Sequence, residues 1–247
     1  FVCTVLNGHQ LLIGNTYKYD GSALNAGGAI SKWKDTSWSI PKNLHIDGLE
    51  INSQTGTLFC SKNKNILLIS IANNIKGTDI DIYFSPLLNG HHYGKPKSLG
   101  KMINSSFSEI NPFLSPDEKI LYFASNKDNG FGGFDIYSSH RIDSTWANWS
   151  TPINAGALYN SEADEKSFST TESHNWAFMY GQTKNNLQYD IFYIYRKAAI
   201  SVSVKGKIKI PSGHSLTKAS IQFTSKSEND IFYVSSMDST NGIFAMN

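Results

Sequence analysis

A unit of about 55 residues repeats along the chain, and this repeat limits the possible folds more than any other feature. The segment 58–83 aligns without a gap on the segment 112–137, so that Phe59 meets Phe113. One further period along the chain, Phe113 meets Phe168. Repeated units bury their hydrophobic residues between successive copies, so each copy must fold into the same supersecondary structure.

A corner motif, an aromatic residue followed by a proline, keeps the same period. It occurs as Trp38-Ser-Ile-Pro41, Tyr93-Gly-Lys-Pro96 and Trp149-Ser-Thr-Pro152. We interpret its aromatic rings as packing anchors and its prolines as the ends of edge strands. Together the two markers divide residues 1–198 into four modules, 1–47, 48–102, 103–157 and 158–198.

The third module shows how each unit folds. Clusters of turn-forming residues separate four short segments with the composition of strands, at 111–115, 119–125, 134–139 and 149–155. Four strands per unit, repeated around an axis, are typical of a β-propeller blade. The sequence therefore predicts an all-β fold, with a β-propeller of at least four four-stranded blades over residues 1–198.

The third module also carries a family resemblance. Its segment PFLSPDEKILYFASNKDNGFGGFDIYSS, followed by W..P.N.G..YNS, resembles the TolB-like, WD-like propeller repeat of Bacteroidota cell-envelope proteins. That group includes PorE-like components of type IX secretion, often with an OmpA-like peptidoglycan-binding domain. The resemblance implies a periplasmic or outer-membrane-associated protein with a scaffolding or secretion role. Its partners would be other envelope proteins or a peptidoglycan-associated assembly.

Residues 199–247 have a different pattern. V.G.I…SG..L..ASI.F…NG.F is similar to the carboxypeptidase-regulatory-like β-sandwich, of which we expect a part here. An alternative is a further blade starting at Asp230, because 230–234 (DIFYV) echoes 190–194 (DIFYI). Phe1 falls inside a predicted strand, so further blades could precede it. The sequence starts without Met, so any signal sequence or lipid anchor would lie outside it, and an anchoring domain could follow.

Composition excludes several classes of partner. The basic side chains are 20 Lys and 2 Arg, and Arg is the main reader of bases and phosphates, so we expect no nucleic acid. No apolar stretch approaches the length of a transmembrane helix. The two cysteines, Cys3 and Cys60, are too few for a zinc site or a disulfide framework. They leave open either a single bridge or two buried thiols.

A catalytic residue is needed once, whereas a structural residue is needed in every blade. We therefore expect the landmarks that recur between modules to be structural; they are Asp81, Asp135, Asp190, Trp38, Pro41, Pro96 and Pro152. The sequence has no nucleophile elbow, no H-E-x-x-H and no C-x-x-C. It thus predicts no catalytic residue, no metal ligand and no cofactor.

Positions that differ between modules are better candidates for binding. The third module has a longer loop, 143–148, whose Trp146 and the adjoining Trp149 either contact a partner or glycan or cover the edge of the blade. The glycine-rich loop 127–133 contains Phe131, the third predicted partner-binding residue. Asp128, Asn129 and the glycines of this loop could hold Ca²⁺ or an anion, although a plain turn is favoured.

The adjacent pair His91-His92 is also specific to one module. Neighbouring residues of a strand point to opposite faces, so the two imidazoles make a poor chelate for a metal. We expect them to be solvent-exposed turn residues.

Four repeats without a catalytic motif favour a non-enzymatic module for protein interaction or scaffolding. One alternative is a propeller glycoside hydrolase or glycan-binding protein, with Glu109, Asp164 and Glu165 as its acids. Another is the substrate-gating propeller of a serine peptidase whose catalytic domain lies elsewhere.

Overall fold

The chain divides into two compact units, Phe1–Arg196 and Lys197–Asn247. The structure is a computed structural model. It describes residues 2–6, 9–25, 27–49, 57–72, 79–128, 130–171, 175–183 and 186–195, and five short strands after residue 203. Every regular element within these ranges is a β-strand. The described residues contain no helix that could span a bilayer.

The first unit is a series of sheets built mainly of antiparallel strands. The first sheet contains β1 (Val2–Leu6), β2 (Gln10–Gly14), β3 (Gly28–Lys34), β4 (Ser37–Trp38) and β5 (Lys42–Asn43). The second contains β6 (His45–Ile46), β7 (Leu58–Cys60), β8 (Ile66–Ala72), β9 (Ile80–Asn89), β10 (His92–Tyr93) and β11 (Lys97–Ser98). The short strand β6 joins the second sheet through a parallel pairing with β10.

Two further sheets follow in chain order. The third contains β12 (Glu109–Leu114), β13 (Ile120–Ser125), β14 (Asp135–His140) and β15 (Ile153–Asn154). The described strands of the fourth are β16 (Glu165–Thr170), β17 (Trp176–Thr183) and β18 (Asn186–Tyr195). This is the arrangement of a four-blade β-propeller, and the prediction of an all-β propeller is confirmed.

The repeated sequence markers occupy equivalent places in the blades. The corner motif stands directly before the last strand of the first three blades, at β5, β11 and β15. The three repeated aspartates pair with the second strand of their blades in matching register, as Asp81 with Ile71, Asp135 with Ser125 and Asp190 with Gly181. The period of the sequence is therefore the period of the fold.

The core lies between successive blades. Strand β8 shows the principle, because Leu67 and Ile69 pack with the first blade while Ile66 and Leu68 pack with the third. An inner blade is covered on both faces, which is why this strand is apolar at every position except the buried Ser70 and shows no polar alternation. Cys60 is buried in the cluster between the first two blades as a free thiol, so the single bridge left open by the sequence is not formed.

The second unit is described through its strands alone. These are β19 (Val204–Lys207), β20 (Gln222–Thr224), β21 (Ile231–Tyr233), β22 (Ser236–Met237) and β23 (Ile243–Met246). Strand β23 pairs with β19 and β22, and β20 pairs with β21. Asp230, the proposed start of a further blade, lies outside the described residues. The partial carboxypeptidase-regulatory-like β-sandwich from residue 199 stays a prediction.

Candidate binding surface

The innermost strands of the four blades converge on a central cavity of about 680 Å³. Thr4 and Val5 line it from the first blade, Phe59 from the second and Phe113 from the third, and the fourth contributes residues 167–171 with Phe178. Each module supplies its first strand to the axis of a propeller, so the repeat itself brings similar side chains from all four blades to this cavity.

Apolar rings and hydroxyl groups dominate the wall of this central cavity. The rings of Phe59 and Phe113 meet edge to face with centroids 5.2 Å apart, and hydroxyls come from Thr4, Thr57 and Ser167 among others. Among the described residues, those lining the cavity include no carboxylate, imidazole, amine or guanidinium. The cavity can therefore bind a molecule through apolar contacts and neutral hydrogen bonds.

The fourth blade carries an exposed apolar surface beside the cavity. Alternate residues of its second and third strands project from one side of the sheet, and we call them the aromatic face: Trp176, Phe178, Tyr180, Ile191, Tyr193 and Tyr195. They lie opposite one another across the two strands. Each is between 39% and 72% exposed, whereas Ala177 and Met179 on the other side are buried against the third blade.

The rings of the aromatic face already contact one another. The ring of Trp176 lies 4.6 Å from that of Tyr195, 5.7 Å from that of Tyr193 and 6.4 Å from that of Phe178, centroid to centroid. A sheet that meets water normally has polar residues on its outer side, while a blade covered on both sides is apolar throughout. The aromatic face is contiguous and exposed, yet it has the composition of a covered surface.

The predicted partner-binding tryptophans lie between blades. Trp149 is 3% exposed, and its Nε1 donates a hydrogen bond to the carbonyl of Trp146 at 2.8 Å. The half-buried Trp146 stacks with Phe84 of the second blade at 6.3 Å, under the guanidinium of Arg141 at 4.3 Å. These contacts match the alternative in which the longer loop covers the blade edge. Of the three predicted residues, Phe131 is the exposed one.

The glycine-rich loop joins β13 to β14 of the third blade and touches the segment that leads into the fourth. A Cβ atom on Gly132 would lie 2.5 Å from the carbonyl oxygen of Ala163, and one on Gly133 would lie 2.1 Å from Oδ1 of Asp164. The backbone of Phe134 then donates to the same Oδ1 of Asp164 at 3.0 Å. The glycines are needed because two chain segments touch here. Asn129 lies outside the described residues.

The repeated landmarks have varied surroundings. Asp135 is buried, and its Oδ2 accepts hydrogen bonds from the backbone of Phe131 at 2.5 Å and from the Asn154 amide at 3.1 Å. Asp190 is exposed and accepts from the backbone of Ile191. The first corner residue, Trp38, is 44% exposed and packs edge to face on Trp33, whereas its equivalents Tyr93 and Trp149 are buried.

Two of the acids in the hydrolase alternative, Glu109 and Glu165, each accept hydrogen bonds from a serine four residues earlier in the chain. The carboxylate of Glu109 accepts from the hydroxyl of Ser105 at 2.6 Å and from its backbone N–H at 3.0 Å. In the next blade Glu165 accepts from Ser161 at 2.5 and 3.0 Å. Burial raises the pKa of both carboxyls, and the serine hydrogen bonds oppose it in part. Because the same contact between a carboxylate and a serine recurs in successive blades, we interpret the role of both glutamates as structural.

Asp164 is held differently from these two glutamates. One carboxylate oxygen accepts from the backbone of Phe134, and the other lies 3.0 Å from Nζ of Lys166 and accepts from the Tyr189 hydroxyl at 2.9 Å. Burial raises the pKa of Asp164, but these hydrogen bonds and the nearby ammonium outweigh it and lower the pKa overall. None of the three acids lines the central cavity.

Neither histidine of the predicted exposed pair is fully exposed. His92 lies on β10, and its Nε2 is 2.6 Å from Oδ1 of Asp47. His91 precedes the strand, and its half-buried ring has a pKa lowered by burial and by the neighbouring lysines. The sequence placed their side chains on opposite faces but missed the contact of His92, because Asp47 lies 45 residues away.

Comparisons with known proteins give distant likenesses. No protein-family model and no curated protein matches the chain. A candidate TolB protein from Agrobacterium tumefaciens is 14% identical, with a TM-score of 0.43, over 97% of this chain and 85% of that one. An α-L-arabinofuranosidase from Lactobacillus brevis is 10% identical, with a TM-score of 0.41, over 75% of this chain and 69% of that one. At these values neither likeness carries an argument about this chain.

Proposed function

We propose that the chain is a non-enzymatic interaction module of a cell-envelope protein, and that it binds a partner protein through the aromatic face. The observation that carries the proposal is the side-by-side exposure of Trp176, Phe178, Tyr193 and Tyr195 on a blade whose opposite side is packed. Aromatic residues are enriched at the centres of protein interfaces, where a few of them dominate the binding energy.

The chemistry of the face suggests what the partner presents. Ring carbon dominates the surface, and the tyrosine hydroxyls at positions 180, 193 and 195 add neutral hydrogen-bonding groups. A matching partner surface is apolar with a few uncharged polar groups, as on the side of another β-sheet. A highly charged partner would leave ions desolvated against the rings.

The central cavity supports the non-enzymatic part of the proposal. Glycoside hydrolysis needs two carboxyl groups that flank the bond to be cleaved. The described wall of the cavity has none, and Glu109 and Glu165 are engaged by their serines. Placement in the periplasm or at the outer membrane, and a link to type IX secretion or peptidoglycan anchoring, rest on the envelope-type sequence of the third module alone.

Site-specific photo-crosslinking tests the proposal. A photoreactive phenylalanine analogue replaces Tyr193 in the protein as expressed in its own cells, and the same analogue at Tyr19, an exposed tyrosine of the first blade, is the matched control. We expect position 193 to capture one envelope protein that position 19 does not capture. Adding Phe178→Ser should lower the yield at position 193 at least about tenfold, because central aromatic residues dominate interfaces.

Three results would overturn the proposal. The first is equal capture from positions 19 and 193, and the second is a yield that Phe178→Ser leaves unchanged. The third is release of sugars from envelope glycans by the purified chain, lost in Glu165→Gln, which would restore the hydrolase alternative.

A further inference from the structure

Three side chains with metal-ligating atoms meet where the chain passes from the first blade to the second. Nε2 of His92 lies 2.6 Å from Oδ1 of Asp47, and Nε2 of His45 lies 3.4 Å from the same oxygen. One ligating atom from each of the three residues lies within 4.8 Å of the other two. Neither the central cavity nor the aromatic face includes these residues.

The backbone holds this cluster in place. His45 pairs with His92, and Ile46 with Tyr93, in the parallel ladder of β6 and β10. The N–H of His45 donates to the carbonyl of His91, and the N–H of Asp47 donates to the carbonyl of Tyr93, both at 3.0 Å. Ile46 and Tyr93 are buried in the core between the two blades. The backbone that carries the three ligands is thus part of a packed ladder.

Strand geometry explains why these three side chains face one another. Residues two apart on an extended chain share a side, so His45 and Asp47 project together and Ile46 projects into the core. His92 stands beside His45 in the ladder, with the two imidazole centroids 4.6 Å apart and tilted by 58°. The neighbouring His91 alternates to the other side, and its ring plays no part.

The ligand set selects the class of ion. Two imidazoles and one carboxylate suit Zn²⁺ and the related divalent transition metals, whereas Ca²⁺ and Mg²⁺ prefer oxygen ligands alone. Ligand atoms at 2.0–2.1 Å from a tetrahedral Zn²⁺ lie roughly 3.3 Å apart. The separation between His45 and Asp47 already has this value, and the hydrogen bond between His92 and Asp47 must open by less than about 1 Å.

We propose that His45, Asp47 and His92 bind one divalent transition-metal ion of the Zn²⁺ class. Their side chains are 72%, 43% and 35% exposed, so the cluster opens to solvent. Three protein ligands leave at least one position of a tetrahedral ion for water or for a ligand from outside the chain. The ion would tie the connection between the first two blades to β10 and would stabilise the folded first unit.

Calorimetric titration of the whole, metal-stripped chain with ZnCl₂ tests the site. We expect one ion per chain, and His45→Ala and His92→Ala should each weaken binding more than about tenfold, since even outer-shell changes cost that much. Asp47→Asn should also weaken it, because the carboxylate charge is lost. The matched control is His140→Ala, which removes an exposed histidine from the third blade and should leave the affinity unchanged. CaCl₂ and MgCl₂ should give no comparable heat.

Thermal unfolding gives a second, independent readout. At about 100 times its dissociation constant, Zn²⁺ should raise the Tm of the native chain by roughly 5–10 °C and should leave the Tm of His92→Ala unchanged. Circular dichroism of the ion-free variants shows whether they fold. Zn²⁺ affinity that stays the same in all three cluster variants, or falls equally in His140→Ala, would overturn the proposal. In that case the cluster is an ordinary hydrogen-bonded pair with a neighbouring histidine.

Discussion

Asn160 pairs with the backbone of Ile136 as a neighbouring strand would. Its Oδ1 accepts the N–H of Ile136 at 2.8 Å, and its Nδ2 donates to the carbonyl of Ile136 at 2.9 Å. One blade earlier, Asn104 makes the same two bonds to Ile82, both at 2.9 Å. This clamp ties the third strand of a blade to the segment that leads into the next, and the repeat reproduces it.

Removing the clamp should destabilise the propeller. Asn160→Ala leaves the N–H and the carbonyl of Ile136 without their side-chain partner in a buried place, which should cost about 2–4 kcal/mol. Urea unfolding of the chain measures the loss. Asn89→Ala, an exposed asparagine on β9, is the control and should change the free energy of unfolding by less than about 0.5 kcal/mol. A loss no larger than that of the control would contradict the structural role of the clamp.

The contact between the third and fourth blades should reject even a methyl group. Gly132→Ala would place its Cβ 2.5 Å from a backbone oxygen, so the loop must move at a cost of about 1–3 kcal/mol. In Gly94→Ala the new Cβ meets only side chains at ordinary distances of 3.5 Å or more, which makes it the matched control. Thermal unfolding compares the two, and equal Tm values would show that the loop does not depend on this close approach.

The tryptophan predicted to bind a partner should matter for stability instead. Trp149→Ala removes a buried ring from the core between the second and third blades and should cost about 3–5 kcal/mol. Phe131→Ala removes an exposed ring and should cost less than about 0.5 kcal/mol. Chemical denaturation of both variants checks this difference. A Trp149→Ala variant as stable as the native chain would return this residue to the binding candidates.

The buried glutamates should give the unfolding free energy a particular pH dependence. Burial raises the folded-state pKa of Glu109 and Glu165 above the ordinary value of 4.5. The folded chain therefore holds these protons more tightly, and the resulting stabilisation is complete below the unfolded value and lost as pH rises through the folded one. Glu109→Gln and Glu165→Gln cannot titrate.

The stability of the native chain relative to each glutamine variant should therefore fall as the pH rises above about 4.5. Urea unfolding at a series of pH values measures the difference. A difference that grows with pH would mean that the serine hydrogen bonds, and not burial, determine the pKa of these carboxyls.

Much of the architecture could be predicted from local patterns. Each blade presents the same ring to its neighbours, and Phe59, Phe113 and Phe168 therefore recur at one spacing. This period can be read from the sequence without knowledge of any contact. The corner motif likewise marks the last strand of a blade wherever it occurs. Patterns of this kind repeat because the fold does, and repetition is visible in one dimension.

The candidate binding surface could not be predicted in this way. Trp176, Phe178 and Tyr180 alternate with buried residues as in any blade covered on both sides, and the sequence does not show that their side of the sheet is exposed. The partner-binding interpretation of Trp146 and Trp149 could not be decided from sequence for the same reason. The sequence of a long loop is the same whether its aromatic residues cover the edge of a blade or face solvent.

The sequence by itself determined the unit of construction, its period and the residues that every copy needs, since alternation and turns are properties of neighbouring residues. Only the tertiary structure decided which sides remain uncovered and which distant residues meet. His45 and His92 are 47 positions apart, and a parallel pairing between two short strands brings their rings together. No periodic pattern in the sequence indicates such a pairing, because it depends on how one blade is placed beside the next.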